Sequence, residues 1–375
     1  MPIKIAVLKE TRAGEKRVAL VPGVVDKLVK LGATVSMQTG AGEASRMPDA
    51  AFGNVTLVAD AAELVRDADL VLAVQPPSLD SVRAMRAGAI LISFIHAARE
   101  PELLKLLVER GLTCFAMERV PRIPRAQAMD ALSSQAALAG YYAGLLGATH
   151  LARILPRMTT AVGALRPATV LVMGLGVAGL QAIATVRRLG AVVEGYDVRP
   201  ETREQAISVG AKFVDTGVDA RGSGGYAREL TEAEKAQVAE VLTHHISQAD
   251  LIITTASVPG RTAPRLIGKA QVEGMKAGAV IIDLAAESGG NCELSRPGET
   301  TQAGQVTIVA PLNVPSMLGE HASELYAKNL LNLVELLIRD QQLNPDWSDE
   351  VVAKTALVRN GTLIDPTPVA AVAAA

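Results

Sequence analysis

Gly174-Leu-Gly176-Val-Ala-Gly179 stands between an apolar, β-branched run, Thr169 to Met173, and an alanine-rich stretch of helical pattern, Leu180 to Leu189. A GxGxxG by itself is weak evidence. This one closes a strand pattern, opens a helix pattern, and is followed about twenty residues on by Asp197, at the end of the next apolar run. Gly174 allows a tight turn, Gly176 lets a backbone approach a pyrophosphate, and Gly179 lets helix and strand pack closely. The helix N-terminus adds N–H groups and a positive dipole end. The pattern is that of a Rossmann-type unit binding a dinucleotide, with Asp197 on the adenosine ribose. An acidic side chain there repels a 2′-phosphate and favours NAD(H) over NADP(H), a preference that Arg199 partly offsets. The alternative is that the glycines serve only as turn and packing positions.

The rest of the chain repeats the alternation. Apolar runs occur at Ile3 to Leu8, Val35 to Met37, Leu70 to Val74, Ala89 to Phe94 and Thr113 to Met117. A second series follows at Thr169 to Met173, Val192 to Asp197, Lys212 to Val214, Leu251 to Thr255, Val280 to Asp283 and Val306 to Val309. Helical patterns separate them, as in βαβ units on a parallel sheet. A chain of 375 residues suits two such domains. With 49% hydrophobic and only 3% aromatic residues, both cores must be packed from Ala, Val, Leu and Ile. The expected architecture is α/β: two Rossmann-like, doubly wound parallel-sheet domains joined by long helices. The expected division is residues 1–132 with 320–375 in one domain and 133–319 in the other.

Ala131 to Ala152 carries no Asp, Glu, Lys or Arg and is long enough to cross a bilayer. Ser133, Ser134, Gln135, Tyr141, Tyr142 and His150 favour instead a long helix buried between the two domains. Arg221-Gly-Ser-Gly-Gly-Tyr-Ala-Arg-Glu229 reads as a mobile loop, and Asp365 to Ala375 as a loose tail.

Other chemistries find no support. A net charge of −2 gives no reason to expect a nucleic acid. Cys114 and Cys292 supply neither a disulfide framework nor zinc-ligand spacing, and His96, His150, His244, His245 and His321 lack partners at ligand spacing, so no metal site is expected. The N-terminus lacks the apolar core of a secretory signal, so a cytoplasmic protein without direct membrane insertion is expected. No GxSxG elbow is present. The remaining chemistry is the cofactor's own hydride transfer.

Lys9-Glu-Thr-Arg-Ala-Gly-Glu-Lys-Arg-Val-Ala-Leu20, Gly40-Ala-Gly-Glu-Ala44, the GxGxxG and Pro297-Gly298 together resemble the alanine dehydrogenase and transhydrogenase α-subunit superfamily, over nearly the whole chain. Within it, Pro121-Arg-Ile-Pro-Arg-Ala-Gln-Ala-Met-Asp-Ala-Leu-Ser-Ser-Gln135 is similar to the loop peculiar to the NAD(H)-binding component of transhydrogenase. The resemblance implies that Arg122, Gln127, Asp130 and Ser133 lie beside the nicotinamide and its ribose. It also implies that Gly225 and Tyr226, in the Gly-rich loop, close over the nucleotide. Val177, Ala178, Val198, Gln237 and Ser257 match further positions lining it. An Arg, an amide and a carboxylate presented together can hold the carboxamide and aim the nicotinamide C4 without acid–base chemistry. The plainer alternative makes Asp130 and Ser133 helix-capping groups and leaves Arg122 and Arg125 as solvated charges.

Against alanine dehydrogenase, Arg17 and His96 match two of the groups that hold its keto acid. Ala73 and Gln75 stand where a lysine is wanted, and Glu287 replaces an aspartate. His96 is then expected to be structural. The resemblance implies a soluble subunit of a Re/Si-specific, proton-translocating NAD(P) transhydrogenase. Such a chain forms a homodimer, works with an NADP(H)-binding domain and membrane-spanning subunits, and sits at the inner face of the plasma membrane. A stand-alone amino-acid dehydrogenase and a non-catalytic NAD-binding module remain the other readings.

Overall fold

The computed structural model describes residues 2–219, 228–257 and 262–364. They fall into two compact units, residues 1–135 with 315–375, and residues 136–314.

The first unit is built on an eight-stranded sheet. From one edge the strands run Thr362–Leu363, Ala356–Arg359, Thr113–Ala116, Ile90–Ser93, Leu70–Leu72, Ile3–Val7, Ala33–Gln38 and Thr56–Val58. The last six are parallel, and the first two pair antiparallel at the edge. Leu70–Leu72, Ile90–Ser93 and Thr113–Ala116 are buried at every residue, because helices cover both faces and leave no polar side to the strand. On one face, Val24, Val25 and Leu28 of the helix Pro22–Lys30 join Tyr326, Leu330, Val334 and Leu337 of the helix Gly319–Leu337 over Ile5, Val35 and Met37. On the other, Leu103, Leu104 and Leu107 of the helix Pro101–Glu109 cover Val71, Leu91 and Cys114. Each such buried leucine or isoleucine contributes about 1.5–3 kcal/mol.

The second unit has a seven-stranded sheet in the order Lys212–Phe213, Val192–Tyr196, Thr169–Met173, Leu251–Thr254, Val280–Asp283, Val306–Val309, Thr300–Ala303, parallel except for the last. Strand alternation divides its core in two. Val170, Val172, Ile253 and Ile282 face Ala182, Ile183 and Val186 of the helix Val177–Arg188. Leu171, Met173, Ile252 and Ile281 face Val238, Leu242 and Ile246 of the helix Glu232–Gln248, which starts at a Thr231/Glu234 capping box.

The charge-free segment forms the helix Ala131–His150. Its glycines are fixed by close contacts. A Cβ on Gly140 would stand 2.0 Å from the Ala178 carbonyl oxygen, and one on Gly147 would stand 2.5 Å from the Leu251 side chain. Burial is less complete than the sequence suggests: Ala131, Gln135, Gly140, Ala143, Gly144 and Gly147 are buried, and most of the other residues are half-buried. No helix among the described residues is long and apolar enough to cross a membrane.

The short or polar strands Thr56–Val58, Thr300–Ala303 and Ala356–Arg359 have no counterpart in the sequence reading. Neither has the hairpin Met158–Thr160 with Gly163–Leu165, which is exposed throughout. Gly225, Tyr226 and the tail from Asp365 lie outside the described residues.

Candidate functional site

In the second unit, the strand after Thr169–Met173 is added on one side of it, and Leu251–Thr254 on the other. The crevice of an open α/β sheet opens at such a reversal, beyond the strand C-termini. Gly174 and Thr255 are the residues that leave those two strands. Gly174 has φ +94°, a left-handed conformation open to glycine. Gly179 is required by contact, since a Cβ there would lie 1.8 Å from the Gly174 oxygen. Among the described residues a Cβ at Gly176 would meet no atom within 4 Å, and Gly176 is exposed. Gly176 is also the N-cap of the helix Val177–Arg188 and brings no side chain to its first N–H groups. An open backbone at an uncapped, dipole-positive helix end fits a pyrophosphate.

Asp197 follows the neighbouring strand, and its carboxylate is 7% exposed. One oxygen accepts the Leu175 N–H at 2.7 Å and Arg199 Nη2 at 2.8 Å. The other accepts the Arg199 backbone N–H and Nε, both at 2.9 Å. Asp197 thus ties the glycine turn to the segment carrying Val198 and Arg199. Val177 and Ser257 are exposed and Ala178 half-buried around the same turn. Gln237 donates to the Thr216 carbonyl at 2.8 Å, against Gly217. The groove lined by Lys269, Glu273, Glu293 and Arg296 contains none of the residues singled out in the sequence.

Thr255 and Asn291 escaped the sequence reading. Thr255 Oγ1 donates to the Gly174 carbonyl at 2.8 Å. Asn291 is fully buried, and its side-chain amide bonds the backbone of Ala256. An Asn after Gly289-Gly290, beyond a strand ending in Asp283, was the available signal.

The reversal in the first unit lies between Ile3–Val7 and Leu70–Leu72. There the protein's own carboxylates fill the anion-binding position. Glu10 accepts the N–H groups of Val74 and Gln75, at 2.6 and 3.2 Å. Arg17, 4% exposed, grips Glu15 through Nε at 2.8 Å and Nη2 at 2.6 Å, and reaches Gln135 Oε1 at 2.9 Å. Gln75 Nε2 donates to Glu15 at 3.0 Å. Burial pushes the Glu15 carboxyl up, but the hydrogen bonds and charge of Arg17, with Gln75, outweigh it and hold it at about 2. Burial raises Glu10 to about 7, opposed by the Val74 N–H and reinforced by the Glu15 charge.

The segment with Arg122, Gln127, Asp130 and Ser133 also belongs to the first unit. Arg122 and Gln127 are exposed, the latter on the 3-10 turn Pro124–Met129. Asp130 accepts both the backbone N–H and the hydroxyl of Ser133, at 2.9 and 2.6 Å, as an N-terminal cap of the long helix does. Arg125 is exposed and forms two 2.7 Å bonds to Asp349. Asn329 Nδ2 pins the turn through the Ala128 carbonyl at 2.8 Å.

His96 has φ +51°, gives its backbone N–H to Glu118 at 2.7 Å and stacks on Phe94. Glu287 accepts the backbone N–H of Asn313, itself at φ +45°. Among the described residues no group of His, Cys, Asp or Glu could hold a metal ion.

Residues 6–139 match the family described as alanine dehydrogenase/PNT, N-terminal domain, and residues 143–366 match its C-terminal domain. The chain belongs to the alanine dehydrogenase/PNT family. Within that family it is 45% identical to an NAD(P) transhydrogenase subunit alpha chain of Rhodospirillum rubrum, over 97% of this chain and 98% of the relative. The structure of a transhydrogenase from Sinorhizobium meliloti superimposes with a TM-score of 0.85 at 41% identity, covering 97% and 99% of the two chains. An L-alanine dehydrogenase structure superimposes at 0.82 with 26% identity, covering 98% and 99%. The two branches share the fold, and sequence identity is higher on the transhydrogenase side.

Proposed function

We propose that this chain is the NAD(H)-binding component of a proton-translocating NAD(P) transhydrogenase. The observation that carries the reading is the Gly174–Gly179 turn at the strand reversal, with open backbone at Gly176 and Asp197 beside it, in a chain similar to transhydrogenase α subunits. The reaction is the nucleotide's own: hydride passes directly between NADH here and NADP⁺ on a partner subunit, in a Re/Si-specific complex that moves protons through membrane subunits.

The chain's role is to bind, orient and exclude water. Gly174, Gly176, Val177, Ala178 and Gly179 take the pyrophosphate. Asp197, Val198 and Arg199 take the adenosine ribose, while Gln237 and Ser257 line the nucleotide. Arg122, Gln127, Asp130 and Ser133 hold the nicotinamide end, where position rather than proton transfer is what the reaction needs. In that role Asp130 and Ser133, already bonded to each other, act as one preformed unit. Gly225 and Tyr226 act as the lid.

The chain works as a homodimer held to the inner face of the plasma membrane by its partner subunits. The exposed hairpin supports self-association: Val162 at its tip is 98% exposed, with Met158 and Leu165 also open to solvent. The alanine dehydrogenase reading is disfavoured because Arg17 is already neutralised by Glu15, and Glu287 is bonded to the chain's own backbone.

Titration of NADH and NADPH against the purified chain, followed by dihydronicotinamide fluorescence, tests the binding half. Saturable NADH binding with much weaker NADPH binding is expected. Equal affinities or no binding would remove the reading.

A further inference from the structure

The backbone packed against the glycine turn is bonded by a side chain far from it in sequence. Asn291 is fully buried, and its side-chain amide pairs with the backbone of Ala256 as a neighbouring strand would. Oδ1 accepts the Ala256 N–H at 3.0 Å, and Nδ2 donates to the Ala256 carbonyl at 2.8 Å. Nδ2 also donates to the Pro264 carbonyl at 2.8 Å, using both of its protons. Buried amide groups without partners are costly, so a fully paired side chain fixes this backbone in one place.

That place matters to the turn. A Cβ on Gly174 would stand 2.7 Å from the Ala256 nitrogen, so Ala256 packs directly on the first glycine. The residue before it, Thr255, props the same glycine through its hydroxyl, and the residue after it is Ser257. Asn291 is in turn held from behind. Asp283, itself fully buried, accepts the N–H of Cys292 at 3.0 Å and the Ser295 hydroxyl at 2.6 Å through one oxygen. The other accepts the Thr254 hydroxyl and the Ala285 N–H, each at 3.0 Å. Gly290, at φ +79°, leaves room for this, since a Cβ would come 2.9 Å from Asp283.

We infer that Asn291 is a positioning residue of the dinucleotide site, acting through Ala256 and Thr255 on the Gly174 turn without touching the nucleotide. The inference rests on the reading that this turn binds NAD(H). It separates Asn291 from an ordinary buried polar residue, whose loss lowers stability and leaves ligand affinity alone.

The test uses the full chain with three substitutions. Asn291→Ala removes the clamp, Thr255→Val removes the prop at nearly constant volume, and Ile281→Val trims the same unit's core away from the turn. NADH dissociation constants are measured by fluorescence and melting temperatures by calorimetry. Asn291→Ala and Thr255→Val should each weaken NADH about tenfold, as expected for the loss of about one good hydrogen bond's worth of preorganisation. Ile281→Val should lower the melting temperature with affinity within about twofold of wild type. If Asn291→Ala does not fold, Asn291→Ser, which keeps one hydroxyl for the Ala256 backbone, carries the comparison. Wild-type affinity in the folded variants, or an equal loss in Ile281→Val, would overturn the positioning role alone. Absence of NADH binding by the wild type would overturn the functional reading and this inference with it.

Discussion

Arg199 lies across the Asp197 carboxylate, with Nη2 2.8 Å from one oxygen and Nε 2.9 Å from the other. The acidic side chain that the sequence assigns to nucleotide choice is therefore held and partly neutralised by the residue two places on. Discrimination against a 2′-phosphate depends on how much negative charge Arg199 leaves exposed.

Substituting either partner moves discrimination in opposite directions. Asp197→Ala should weaken NADH and narrow its gap to NADPH, because the acidic side chain that repels a 2′-phosphate is gone and Arg199 no longer pairs with it. Arg199→Ala should widen the gap by leaving the carboxylate uncompensated. Parallel titrations with the two nucleotides read both ratios, and a shift in the same direction for both variants would remove this account of selectivity.

Two glycines of the turn should behave differently. Gly179→Ala drives a Cβ to 1.8 Å from the Gly174 oxygen and should cost both stability and NADH affinity. Gly176→Ala meets no atom of the described residues within 4 Å, so the melting temperature should hold while affinity falls. Calorimetry beside titration separates the two effects.

The Arg17–Glu15 pair should be far more sensitive to loss of one member than of both. Arg17→Met leaves a buried carboxylate without its cation and should cost about 3–5 kcal/mol in urea unfolding. Adding Glu15→Met should recover much of that loss. A full-cost double variant would show that the pair contributes net stability instead.

Glu10 sets a pH dependence whose sign follows from its raised value of about 7. A carboxyl raised by folding holds its proton more tightly in the folded chain, so its contribution is complete below about pH 4 and lost as the pH climbs to about 7. Glu15, held at about 2, acts in the opposite sense: its contribution is complete above about pH 4 and lost as the pH falls to about 2. Between about pH 5 and pH 8 the wild type should therefore lose about 1–2 kcal/mol relative to Glu10→Gln, discounted for a carboxyl partly open to water. A constant difference across that range would contradict it.

Much of this was legible in the chain itself. Strands such as Thr169–Met173 and Val280–Asp283 are buried on both faces, so each leaves an unbroken apolar run that marks it. Thr300–Ala303 is polar and only partly buried at a sheet edge, and Ala356–Arg359 stands next to an edge strand of its own sheet with a charge at its end, so neither leaves such a run. The glycine turn and Asp197 were legible because local spacing encodes them. Thr255 and Asn291 were not, since their contacts join residues 81 and 35 positions apart. The filling of the first unit's crevice was hidden for the same reason: Glu10 meets Val74 and Gln75 only across the sheet.

The central claim is that hydride leaves NADH only for a nucleotide held by another subunit. Purified chain with NADH should be followed in two mixtures, one containing an NADP⁺-loaded NADP(H)-binding partner domain and the other pyruvate with ammonium. NADH oxidation with the partner alone is the expected result. Oxidation with pyruvate and ammonium in the absence of the partner would contradict the account and return Arg17, His96 and Glu287 to a catalytic role.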